Sequence, residues 1–82
     1  MGKEAMDTPD LVDEIKLLSL YNLSTNQEGI KVHKTAEPSA IAAARRLHEK
    51  GLITQADGGY LTSLGIDATE HVQALLSILG PR

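Results

Sequence analysis

The side chains that could do chemistry are few, and their spacing does not favour it. His33, His48 and His71 stand far apart, and none sits in a His-x-x-x-His or comparable ligand spacing. They read as helix-surface residues. Ser19, Ser24, Ser39, Ser63 and Ser77 lack the context of a nucleophile elbow. Gly58-Gly59 reads as a turn rather than a phosphate cradle, because no Gly-Lys-Ser/Thr follows. The chain has no cysteine, which excludes disulfides and thiolate metal sites. No catalytic residue, metal site or cofactor is expected, and the chain is read as a non-enzyme.

What remains is charge. The net charge is −3, which by itself argues against nucleic acid, since non-specific DNA binding is largely phosphate neutralisation. The distribution is uneven. Residues 1–30 carry Lys3 and Lys16 against Glu4, Asp7, Asp10, Asp13, Glu14 and Glu28, a net −4. Residues 31–50 carry Lys31, Lys34, Arg45, Arg46 and Lys50 against Glu37 and Glu49, a net +3. Residues 51–82 carry Arg82 against Asp57, Asp67 and Glu70, a net −2. The positive charge is confined to the middle of the chain, where it can form one basic face.

At 82 residues the chain is one domain, near the lower end of what folds alone. An apolar fraction of 41% suffices for one core, but the aromatic fraction is only 2%, so that core must be aliphatic and closely packed. Such a core stabilises little per residue, which raises the expectation of dimerisation. No stretch approaches the ~18 apolar residues of a membrane span. The start "MGKEAM" resembles neither a signal peptide nor a myristoylation site, so a cytoplasmic location and no membrane partner are expected.

The elements that must position the basic residues follow from pattern. Residues 1–7 read as a disordered tail and 8–80 as the domain. Thr8-Pro9 looks like a helix start followed by Asp10, Asp13 and Glu14, acids that suit the positive end of a helix dipole. Leu11, Ile15 and Leu18, joined by Val12 and Leu20, predict a first helix over 8–22. The segment 25–34 is open between two readings. Ile30-Lys31-Val32-His33 alternates like a strand, while Thr25 to Glu28 fits a capping box. The box favours a short second helix. Residues 38–50 make the clearest helix, with Pro38 in its first turn and Gly51 as its C-terminal cap. Asp57-Gly58 then predicts a two-residue hairpin loop in which Gln55 faces Tyr60 and Ile53 faces Thr62. Thr62-Ser63 opens a last helix over 63–79, with Leu64, Ala68, Val72, Leu75 and Leu79 along one stripe, and Gly80-Pro81 ends it.

The order helix, helix, helix, hairpin, helix is that of a winged helix-turn-helix, mainly α with a two-stranded β-hairpin (α-α-α-β-β-α). "PSAIAAARRLHEKGLI" followed by "DGGYLTSLG" resembles the winged-helix domains of MarR-like and PadR-like bacterial regulators. Their third helix commonly ends in a Leu-x-x-x-Gly-Leu-Ile phrase and their second wing strand in Leu-Thr-x-x-Gly. Leu47, Gly51, Leu52, Ile53, Leu61, Thr62 and Gly65 match these phrases, within a resemblance covering about residues 25–66. The whole chain also resembles a small family of short, uncharacterised proteobacterial proteins with "TNQEGIKVHKTA" and "GLITQADGGYLTSLG".

The regulator resemblance implies a double-stranded DNA partner, a role in transcription regulation and a recognition helix at 38–50. Ser39, Ala40, Ala43 and Arg46 would then face the major groove, and Lys31, Lys34, Arg45 and Lys50 would serve phosphates. Two departures count against this. The wing tip is Asp57-Gly58-Gly59, with no Lys or Arg between Gly51 and Arg82, and the presumed reading face is rich in alanine. The alternative is a protein-interaction module on the same scaffold. In either case Val72, Leu75, Leu76, Ile78 and Leu79 exceed what one side of a small domain covers, and they are the expected interface of a homodimer.

Overall fold

The computed structural model describes residues 8–24 and 29–80. Among these the elements run α1 (Thr8–Leu18), β1 (Ile30–Lys31), α2 (Pro38–Glu49), β2 (Ile53–Gln55), β3 (Gly58–Leu61) and α3 (Ser63–Leu79). The domain is small and mainly helical, with a three-stranded antiparallel sheet in the order β1-β3-β2. No helix among the described residues is long and apolar enough to cross a membrane. The tail expected over residues 1–7 lies outside the described residues.

Each helix buries a stripe with the i, i+3, i+4, i+7 spacing that puts side chains on one face. In α1 and the turn after it the stripe is Glu14, Leu17, Leu18 and Tyr21, all buried. In α2 it includes Ala43, Ala44 and Leu47, with Ala40 half-buried. In α3 it is Gly65, Ala68, Thr69 and Val72. Leu17, Leu18, Tyr21, Ala43, Ala44, Leu47 and Ile53 form the core, and Ile30, Val32, Leu52 and Leu61 pack around it. Several residues expected in the apolar stripes are exposed instead: Val12, Leu20 and Leu64.

α1 ends at Leu18, four residues before its expected limit. Bonds from Leu20 N–H to the Leu17 carbonyl and from Tyr21 N–H to the Leu18 carbonyl, both 3.1 Å, tighten the chain into a narrower turn. That turn swings Tyr21 inward, where its hydroxyl donates to the Gly59 carbonyl at 3.0 Å. Gln73 of α3 donates to the Tyr21 carbonyl, also at 3.0 Å. Burial pushes the Tyr21 phenol up to about 12.

The second helix expected over 25–34 is not formed at its described end. Ile30 and Lys31 are β1, paired with Gly59 and Gly58 of β3, and Val32 N–H donates to the Asp57 carbonyl at 2.7 Å. Alternation prevails because β3 offers an edge to pair with and each strand residue gains a partner, whereas Gly29 would weaken a helix. The Thr25–Glu28 capping box lies outside the described residues. Between β1 and α2 the chain makes only a turn, closed by Ala36 N–H donating to the His33 carbonyl at 2.9 Å.

The hairpin is out of its expected register, by one residue at Ile53 and by two at Gln55. Ile53 pairs with Leu61 and Gln55 with Gly58, with an irregularity between them. The loop is therefore Ala56-Asp57. The positive φ angles fall on Gly58 and Gly59, at 128° and 75°, where no Cβ opposes them. Tyr60 N–H donates to Thr54 Oγ1 at 3.0 Å in the bulge. The slip puts Ile53 and Leu61 together on the core side and leaves Thr54, Gln55 and Tyr60 exposed.

The junction of α2, the hairpin and α3 explains the Gly-Leu-Ile and Leu-Thr-x-x-Gly phrases. Leu52 N–H donates to the Leu47 carbonyl at 2.9 Å and Gly51 N–H to the His48 carbonyl at 3.0 Å, which is a Schellman ending. Thr62 caps α3 by accepting from Gly65 N–H at 3.0 Å, and its hydroxyl donates to the Gly51 carbonyl at 2.6 Å. A Cβ on Gly65 would collide with the Leu52 carbonyl oxygen, so only glycine lets α3 approach this closely.

Candidate functional site

The basic residues of α2 separate onto two sides of its buried stripe. On the side facing α1, Arg46 Nε donates to Glu14 Oε2 at 2.7 Å and Arg46 Nη2 to the Asp10 carbonyl at 3.1 Å. Lys50 Nζ donates to the other oxygen of Glu14 at 2.5 Å. Glu14 is only 6% exposed. Burial alone would raise its pKa, but the hydrogen bonds from Lys50 and Arg46 and their charges prevail and hold it below the ordinary carboxylate value. The hydrogen bond with Glu14 in turn holds the Arg46 guanidinium further into its charged form. A buried acid with two cationic donors is a structural clamp between α1 and α2.

This clamp engages part of the expected DNA face. Arg46 and Lys50 have a carboxylate partner inside the domain, and freeing them would strand Glu14 without charge compensation. Ala43 is 0% exposed and has no surface for a thymine methyl. Ser39 is exposed and Ala40 half-buried, beside a small recess formed with Asp13, Lys16 and Glu37, where two acids oppose a phosphate.

The other side of α2 is open. A groove of about 670 Å³ runs between α2 and the segment that leaves β1. Val32 and Ile41 give it an apolar floor, and Lys31, Lys34 and Arg45 supply its cationic groups. Asp57 at the hairpin loop is the one acid among its described lining residues. It lies 3.5 Å from Lys31 in an exposed ion pair, which solvent screens. The groove therefore brings together Lys31, Lys34 and Arg45 from the expected set and excludes Ser39, Ala40, Ala43, Arg46 and Lys50.

The second candidate surface is the end of α3. Leu75, Leu76, Ile78 and Leu79 are between 41% and 78% exposed. Val72, expected with them, is half-buried and packed against the core, so it does not belong to this surface.

Residues 6–80 match a family described as a family of unknown function (DUF5669). The chain belongs to that family. No curated protein and no solved structure matches it. Membership in DUF5669 assigns no activity, so function has to be argued from the two surfaces themselves.

Two features escaped the sequence reading. Glu14 was expected as a solvated acid complementing the helix dipole, and it is the buried anchor of the clamp. The signal lay in its spacing to Leu17, Leu18 and Tyr21, which places it on the inward face. The groove floor is not legible in the sequence because it joins Val32, in a segment whose pattern favours a helix, to Ile41 of α2. No group of three or more His, Cys, Asp or Glu that could hold a metal ion occurs among the described residues.

Proposed function

We propose that the chain is a non-enzymatic protein-interaction module that pairs with a second copy of itself through the C-terminal half of α3. One observation carries this reading. Leu75, Leu76, Ile78 and Leu79 lie exposed in a stretch, residues 71–80, that contains no Asp, Glu, Lys or Arg. Leaving that many aliphatic side chains in water forfeits ~1.5–3 kcal/mol for each one that could be fully buried. An uncharged helix face can meet its own copy without like-charge repulsion, so an isologous pairing has no electrostatic penalty. Sedimentation equilibrium tests the pairing. The expected mass is twice 8.8 kDa, with Leu75→Glu and Leu79→Glu together returning the monomer. A concentration-independent mass near 8.8 kDa for the unaltered chain would remove the reading.

A second reading is DNA binding in transcription regulation, on a winged helix whose element between β1 and α2 has shrunk to a turn. It is favoured by the exposed positions of Lys31, Lys34 and Arg45 next to the hairpin. It is disfavoured by the clamp, which takes two of the five basic residues of segment 31–50, and by Asp57 at the loop. Titration with a DNA duplex discriminates. DNA binding would shift the amides of Lys34 and Arg45 and weaken steeply with salt. Unmoved amides at low salt would reject it.

A further inference from the structure

We propose that the groove between β1 and α2 binds an acidic peptide segment of a partner protein, one that presents an aliphatic side chain between its carboxylates. The proposal rests on the interaction-module reading and adds a second partner at a surface separate from the end of α3.

Two properties of the groove identify the occupant. Its floor, the half-buried Val32 and Ile41, is apolar and concave, so water there is displaced favourably by an aliphatic group. Its basic groups come from three parts of the fold: Lys31 from β1, Lys34 from the following turn and Arg45 from α2. A single carboxylate pairs with one or two of these. A segment with two or more acids flanking an aliphatic residue can meet all three while the aliphatic group fills the floor. Arg45 can take a carboxylate in bidentate fashion, and the ammonium groups add attraction less dependent on direction.

The charge pattern favours the same occupant. Segments 1–30 and 51–82 are net negative and segment 31–50 is net positive, so an acidic ligand is steered away from most of the chain and towards this groove. The Lys31–Asp57 pair is exposed, and an incoming carboxylate can compete for Lys31 at little cost. Duplex DNA fits less well. Three cations neutralise few phosphates, and a phosphate backbone leaves the apolar floor unfilled.

The test is an amide chemical-shift titration of the full chain with a capped peptide of alternating glutamate and leucine. Shifts at Val32, Lys34, Thr35 and Arg45 are expected. Lys34→Glu and Arg45→Glu should each weaken binding about tenfold, a loss on the scale of one charge-assisted hydrogen bond, with thermal melting unchanged. Three parallel arms use the same peptide with serine for leucine, free octanoate, and a random-sequence duplex. The proposal is overturned by unmoved groove amides, by equal affinity for the serine peptide, by octanoate matching the peptide, or by tighter binding of the duplex at these residues. Sedimentation of the same sample keeps the two readings apart. A dimer with a silent groove removes only this inference, and a monomer that binds the peptide removes only the pairing at α3.

Discussion

Arg45 and Arg46 are neighbours on one helix, yet Arg46 is a structural ion and Arg45 has no acid partner among the described residues. A single step along α2 turns the side chain by about 100°. That step carries Arg46 over the α1 side, where Glu14 waits, and leaves Arg45 on the groove side, where no described acid pairs with it. Lys50, one turn beyond Arg46, goes with it, while Lys31 and Lys34 approach Arg45 from another part of the chain. The basic segment 31–50 is thus two separate devices, one holding α1 to α2 and one facing solvent. Net charge over a segment does not reveal how much of it is available to a partner. What decides is whether a buried acid has already claimed it.

The largest effect is expected where the clamp is broken. Arg46→Ala removes the guanidinium from Glu14 and from the Asp10 carbonyl together. Truncating one partner of a buried pair leaves the other charged and desolvated. Lys50 still serves one Glu14 oxygen and Arg46 is itself 28% exposed, so the cost is put at about 2–3 kcal/mol. Urea denaturation should show a lower midpoint with an unchanged slope. A cost no larger than that of Arg45→Ala would end the division of the helix into two sides.

Glu14→Gln sharpens the same comparison through pH. The folded pKa of Glu14 is depressed below the ordinary carboxylate value, so its ionised form stabilises the fold fully above that ordinary value. The contribution is lost as pH falls through the lowered folded pKa. At neutral pH Glu14→Gln should cost about 1–2 kcal/mol, because a neutral amide replaces two charge-assisted bonds. On acidification below the lowered folded pKa the variant and the parent should converge, since the parent carboxyl is then neutral as well. Denaturation curves across that range give the answer. A gap between the two proteins that does not narrow in acid would mean that Glu14 is not ionised in the fold.

The clamp and the groove differ in how far the sequence discloses them. α2 was legible to within a residue, because Pro38, the alanine run and Gly51 mark it by local chemistry alone. The Thr62 cap and the requirement for glycine at 65 were legible as a phrase, and the close approach to Leu52 supplies its cause. At Ile30–Lys31 the sequence favours a helix and the structure has a strand, since a two-residue strand is defined by its partner, here β3, more than by itself. The hairpin register turned on which residues accept positive φ, and a run of Asp-Gly-Gly allows more than one answer. The phase of α1 was misjudged because an acid, Glu14, occupies the buried stripe and an apolar residue, Val12, lies outside it. Polarity alone points the wrong way there.

A smaller effect is expected at Lys50. It shares Glu14 with Arg46, but its side chain is 44% exposed, so solvent screens the pair and can replace part of it. Lys50→Ala should cost less than Arg46→Ala, on the order of 0.5–1 kcal/mol. The effect should shrink in high salt more than that of Arg46→Ala, because the more exposed partner is the more screened. Equal losses at the two positions would make the clamp one inseparable unit rather than an inner and an outer bond.

Arg45→Ala should do least to stability, within about 0.5 kcal/mol of the parent, as for an exposed helix residue without a buried partner. The side chain leaves the core faces of α2 untouched, and alanine is the better helix former, so propensity offsets lost contacts. The value of this variant lies in its pairing with Arg46→Ala. If the two arginines belong to separate devices, their stability costs should add in the double variant, apart from a few tenths of a kcal/mol. A large coupling would mean that Arg45 also senses Glu14, so that the clamp and the groove form one charge network. Additivity, combined with loss of peptide binding for Arg45→Glu alone, would leave Arg46 holding the fold and Arg45 available to a partner.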